Sequence, residues 1–88
     1  MTPTEREIEQ MIVDLCLERG VGKTICPSEA ARALCPQETD WRALMPGLRD
    51  VAKRMAQDGK IAIYRKGEPI VDHHTGGAIR LGLPPIQK

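Results

Sequence analysis

Apolar residues near the start of the chain recur at the spacing of one helical face: Ile8, Met11, Ile12, Leu15 and Cys16 follow one another at intervals of one, three and four. Thr2 can cap this helix, Pro3 suits the first helical position, where a missing N–H is not needed, and Glu5 completes a capping box. The helix is predicted to run to about Arg19, with Gly20 and Gly22 supplying the stop. Val13 and Leu17 fall off the stripe by about a quarter turn or more at 3.6 residues per turn. They therefore need a second contact, from a returning strand or from a second copy of the chain.

Lys23-Thr24-Ile25-Cys26 has room only for a stub of strand. Pro27-Ser28-Glu29 then starts a second helix containing Ala30, Ala31 and Leu34, which Pro36 ends near Leu34 or Cys35, because the residue before a proline disfavours the helical region. Thr39 or Asp40 can cap a third helical segment at Trp41. Pro46 predicts a division there, since an interior proline costs about 3 kcal/mol: a helical turn over Trp41–Met45, then the main helix from Pro46 to Asp58, ended by Gly59. Leu48, Val51, Ala52 and Met55 share its apolar face, and Arg49, Asp50, Lys53, Arg54 and Gln57 the opposite one. Beyond Gly59 the period changes to two: Ile61, Ile63 and Arg65 alternate with Ala62, Tyr64 and Lys66 as in a strand. Its partner is predicted at Ala78–Leu83, and the connection Gly67–Gly77 holds Pro69, His73 and His74.

Helix, strand stub, helix, helix and a two-stranded hairpin form the layout of an α+β winged helix: a three-helix bundle with a C-terminal two-stranded β wing. A lone hairpin is marginal in water, so its apolar face must rest on the bundle. Helices two and three form a helix-turn-helix pair if the residues between them make the turn. Eighty-eight residues suffice for one such domain and exclude a multi-domain enzyme. With 41% hydrophobic and 28% charged residues, neither disorder nor a membrane span fits. Trp41 and Tyr64 are the sole aromatics, so aliphatic residues must fill the core and stacked bases are a poor fit.

Three blocks, Ile25-Cys26-Pro27-Ser28-Glu29-Ala30-Ala31-Arg32, Trp41-Arg42-Ala43-Leu44-Met45-Pro46 and Gly77-Ala78-Ile79-Arg80-Leu81, resemble the signature of a small bacterial domain-of-unknown-function family with a winged-helix-like fold. The resemblance covers Arg6 to Leu83. It implies that fold and a cytoplasmic bacterial setting; it brings no activity, ligand or catalytic residue.

Charge is unevenly spread. Residues 1–40 carry four Lys/Arg against eight Asp/Glu, and residues 41–88 carry nine against four, although the whole chain is only +1. A basic second half suggests an anionic partner. Arg42, Arg49, Lys53 and Arg54 on helix three, with Arg65, Lys66, His73, His74 and Arg80 in the hairpin, are the candidate nucleic-acid contacts. In a helix-turn-helix the second helix of the pair enters the major groove while a wing follows the backbone, its cations neutralising phosphates. Duplex DNA is the expected partner. The alternative is a protein-interaction module in which Val13, Leu17 and the Leu83-Pro84-Pro85-Ile86 segment form an apolar surface, and a homodimer through helix one would serve either reading.

Other motifs predict less. Gly20-Val21-Gly22-Lys23-Thr24 ends like a phosphate-binding loop, but Leu17 stands where the first glycine belongs, and a helix rather than a strand precedes it. Cys16, Cys26, Cys35, His73 and His74 lack the paired spacing of a zinc site. The odd cysteine count and the absence of a signal-like start fit a reducing cytoplasm. Asp72-His73-His74-Thr75 reads as a solvated wing tip, so no catalytic residue, metal or cofactor is expected.

Overall fold

The computed structural model describes residues 3–36, 40–65, 68–70 and 79–84, with residue 40 described by its backbone alone. In chain order the elements are α1 (Glu5–Arg19), β1 (Thr24–Ile25), α2 (Pro27–Leu34), α3 (Asp40–Gln57), β2 (Ala62–Arg65), β3 (Glu68–Pro69) and β4 (Arg80–Gly82). The architecture is α+β, three helices and a four-stranded antiparallel sheet ordered β1-β4-β2-β3.

Helix α1 is capped by Thr4, not Thr2. Thr4 Oγ1 accepts the N–H of Glu7 at 3.2 Å while Glu7 Oε1 accepts the N–H of Thr4 at 2.9 Å. Thr2-Pro3-Thr4-Glu5-Arg6-Glu7 contains two overlapping capping boxes, and the later one puts Ile8 at the fourth helical position. Pro3, just before the cap, then lines the same cleft as Ile8, as in a hydrophobic staple. Gly20 closes the helix at φ +97, and a tight turn follows in which the Gly20 carbonyl accepts the N–H of Lys23 at 3.2 Å with Gly22 at φ +83. Only glycine adopts such angles cheaply.

Helix α3 runs unbroken through Pro46, against the division predicted there. The ring removes only the N–H that would reach the Arg42 carbonyl. Pro46 and Gly47 face solvent, where water can take up that carbonyl, while Leu44 and Leu48 on either side are buried and hold both halves to one axis. At its end Gly59 (φ +79) donates to the Ala56 carbonyl at 3.1 Å and Lys60 to the Met55 carbonyl at 2.9 Å, a Schellman closure.

The sheet is larger than the expected two-stranded hairpin. β2 and β4 pair as predicted, with Ala62, Ile63 and Tyr64 opposite Gly82, Leu81 and Arg80, but β1 adds to the outer side of β4 and β3 to that of β2. Glu68 and Pro69 lack the apolar alternation that marks a strand, and as an edge strand they do not need it. Ile25, Leu81 and Ile63 form a row across three strands, all nearly fully buried against the helices. Ile8, Ile12 and Cys16 of α1, Ala30 and Ala31 of α2, and Leu44, Leu48, Val51, Ala52 and Met55 of α3 complete the core. Val13 packs against this core within the chain, whereas Leu17 stays 59% exposed.

On the other sheet face Gly82 sits between Thr24 and Ala62. A Cβ there would stand 2.9 Å from the Lys23 carbonyl oxygen and 3.1 Å from Tyr64 Cε2. The Tyr64 ring leans over this position, and its hydroxyl donates to the Leu83 carbonyl at 2.9 Å.

Candidate nucleic-acid interface

Helix α3 turns by about 100° per residue, and this divides the cations predicted to share one face. Arg42, Arg49 and Lys53, spaced by seven and four residues, fall on one flank, where Arg42 is exposed and the other two are half-buried. No acidic residue of α3 shares that flank. Asp50 and Arg54 lie on the opposite flank. There, with Ala43 and Gly47, they line a cleft of about 610 Å³ against Pro3, Glu5 and Ile8 of the α1 end, and Arg54 forms an ion pair with Glu5. Arg54 thus ties α3 to α1 rather than extending the basic flank.

Arg80 is also tied internally. Its Nε donates to Thr24 Oγ1 at 2.8 Å and its terminal nitrogen to the Thr24 carbonyl at 3.0 Å. Arg19 donates to the same carbonyl at 3.1 Å and pairs with Glu29. Glu29 accepts the N–H of Cys26 at 2.7 Å, as the N-terminal residues of a helix require. That bond chiefly holds the Glu29 carboxyl below its ordinary 4.5, aided by Arg19 and Arg80 and opposed by partial burial. The cluster joins α1, β1, α2 and β4. Arg65 is half-buried at the end of β2, opposite Glu68 in the sheet register. Lys66, His73 and His74 lie outside the described residues.

Two arginines meet at the one tryptophan. Arg32 of α2 places its guanidinium carbon 4.6 Å from the Trp41 ring centroid, and Arg42 places its own at 5.2 Å. Both distances are within cation–π range. The sequence reading missed Arg32; its signal is an exposed cation on α2 in a fold whose lone indole begins the next helix. With Pro36 these three residues line a cleft of about 370 Å³ at the α2–α3 corner.

The remaining motifs are placed apart. Cys16 is buried, which pushes its thiol up to about 11, while Cys26 and Cys35 stand at opposite ends of α2. Among the described residues no three His, Cys, Asp or Glu side chains gather as metal ligands, and no charged or polar side chain is buried. The glycine-rich run Gly20–Thr24 is a reverse turn that feeds β1, not a helix. No helix among the described residues is long and apolar enough to cross a membrane. In sequence comparison, residues 5–84 match the family described as "Protein of unknown function (DUF3253)". No curated protein matches the chain.

Proposed function

Since the chain belongs to the DUF3253 family, a description that assigns no activity, its role must be read from its surface, and we propose that it is a non-enzymatic winged-helix domain that binds duplex DNA. In this reading α2 and α3 are the helix-turn-helix pair, α3 enters the major groove, and the β2–β3 hairpin with the segment before β4 is the wing. The observation that carries it is the flank of Arg42, Arg49 and Lys53, three cations on one side of α3 that no acidic residue of that helix shares. Arg32 extends the same positive surface at the α2–α3 corner. Arg65, Lys66, His73 and His74 would track the backbone from the wing. Three free thiols suit the reducing cytoplasm proposed as its location.

The test is fluorescence anisotropy of a labelled random duplex at low and moderate salt, with Arg49→Ala/Lys53→Ala as the comparison. Each phosphate neutralised contributes about 0.9 to the slope of log affinity against log salt. The double variant is expected to bind more weakly with a slope lower by about two. No binding at low salt, or a double variant that binds as the parent does, refutes the reading.

A second reading, a protein-interaction module, draws on Leu17 and Val21, 59% and 58% exposed at and just beyond the α1 end. Such a contact, a homodimer through α1 included, would hardly respond to salt. Val13 no longer contributes to it, because the core takes up that side chain.

A further inference from the structure

We propose that Arg32, Trp41 and Arg42 form a binding site for one phosphate group. Both guanidiniums lie against a single indole and line a single cleft. Among the described residues neither arginine has a carboxylate partner, whereas Arg19, Arg54 and Lys60 each do. Two like charges gathered at one ring repel one another. The electron-rich face of Trp41 relieves part of that repulsion, and an anion in the cleft would relieve the rest.

The chemistry selects phosphate over carboxylate. Each guanidinium is a planar fork of N–H donors, and a carboxylate, its two oxygens in one plane, offers such a fork only one symmetric edge. A phosphoryl group has additional oxygens and accepts two forks from different directions. Trp41 and Arg42 are also the second and third residues of α3, where first-turn N–H groups have no partner within the helix and the helix dipole favours an anion. The cleft, about 370 Å³, leaves room for the group that carries the phosphate. That carrier is either a polynucleotide backbone, in which case this site deepens the DNA-binding reading and rests on it, or a free phosphate monoester, in which case it stands alone.

Trp41 is the sole tryptophan, so emission excited selectively at the indole, beyond the absorption of Tyr64, reports on this site. The first arm titrates the full chain with inorganic phosphate at constant ionic strength and follows that emission. The second measures duplex affinity against salt. Both are run on the parent, on Arg32→Gln/Arg42→Gln and on Arg42→Gln alone, with urea midpoints to show that each is folded. The expected result is a saturable change with phosphate that the double variant loses. If the double variant also lowers the DNA salt slope by about one, the carrier is the backbone; an unchanged slope assigns the site to a free phosphate. A slope lowered without a response to inorganic phosphate also supports the site, as one that needs the diester. A saturable response in a protein that fails to bind DNA keeps the phosphate site and removes the DNA-binding reading. No response to phosphate together with an unchanged slope, or with no DNA binding at all, overturns the proposal.

Discussion

Gly82→Ala is the smallest change that should damage this fold. Gly82 lies on an interior strand with Thr24 opposite on one side and Ala62 on the other, so its backbone cannot retreat without disturbing both pairings. The added Cβ would stand 2.9 Å from the Lys23 carbonyl oxygen, 3.1 Å from Tyr64 Cε2 and 3.3 Å from Thr24 Cγ2. The ring can swing, at the risk of its hydrogen bond to Leu83; the carbonyl belongs to the chain entering β1 and cannot move independently. Overpacking of this kind costs about 1–3 kcal/mol, and each kcal/mol lowers the Tm of a domain this size by about 4–8 °C. The assay is thermal and urea denaturation of the parent, Gly82→Ala, Tyr64→Ala and the double variant. Removing the ring should recover part of the penalty, so the cycle gives a coupling energy, while the carbonyl contact persists in both backgrounds. A Gly82→Ala protein with the parent's Tm and urea midpoint would refute the close approach, and a cycle that is simply additive would remove the ring from it.

Three further outcomes follow from local geometry. Pro46→Ala restores an N–H beneath the Arg42 carbonyl inside α3 and should stabilise the protein by up to about 2 kcal/mol, the helix penalty less the rigidity proline lends the unfolded chain; a lower Tm would show that the proline is structurally required. Glu29 and Glu7 are both held below their ordinary 4.5, Glu29 first by the Cys26 N–H and Glu7 first by the Thr4 N–H. A depressed carboxyl contributes stability above its unfolded value and loses it as pH falls through the folded one, so the Tm gap between the parent and Glu29→Gln should be full near neutrality and narrow below pH 4.5; a gap independent of pH contradicts this. Maleimide at mildly alkaline pH should label Cys26 and Cys35 but reach the buried Cys16, whose thiol is pushed up to about 11, only in urea. Intact mass counts the adducts, and a third in the native protein would refute the burial.

Helix α1 was legible because Ile8, Ile12 and Cys16 repeat at the helical period and need only one neighbour, the core. Its first residue was not, because Thr2 and Thr4 each head a valid capping box and the sequence pattern alone does not choose between them, whereas the folded chain caps with Thr4. Pro46 misled for a related reason: propensity charges a proline its full penalty, while burial of Leu44 and Leu48 on both sides outweighs one lost hydrogen bond. The hairpin core was written in Ile61, Ile63, Ile79 and Leu81, yet β3 was invisible, since an edge strand of Glu68 and Pro69 buries neither side chain. Composition located positive charge in the second half without separating its tasks. Helical phase divides Arg42, Arg49 and Lys53 from Arg54, and no periodicity links Arg32 to Trp41, because that contact crosses two helices.

β4, which lies between β1 and β2, is the last of the sheet's strands in the chain, and this orders assembly in time. Among the described residues β1 has no strand partner except β4, 58 residues later by the register Thr24↔Gly82. Until β4 joins the sheet, β1 is a single extended segment and β2 can pair only with β3. Closing the loop from residue 24 to residue 82 is the most non-local step in the sheet, and non-local closure is slow. A chain that has not yet placed β4 therefore lacks Ile79 and Leu81 from its core, and the apolar positions they cover stay open for that interval. Arg80 itself, bonding to Thr24 on arrival, is the latch that ends that interval.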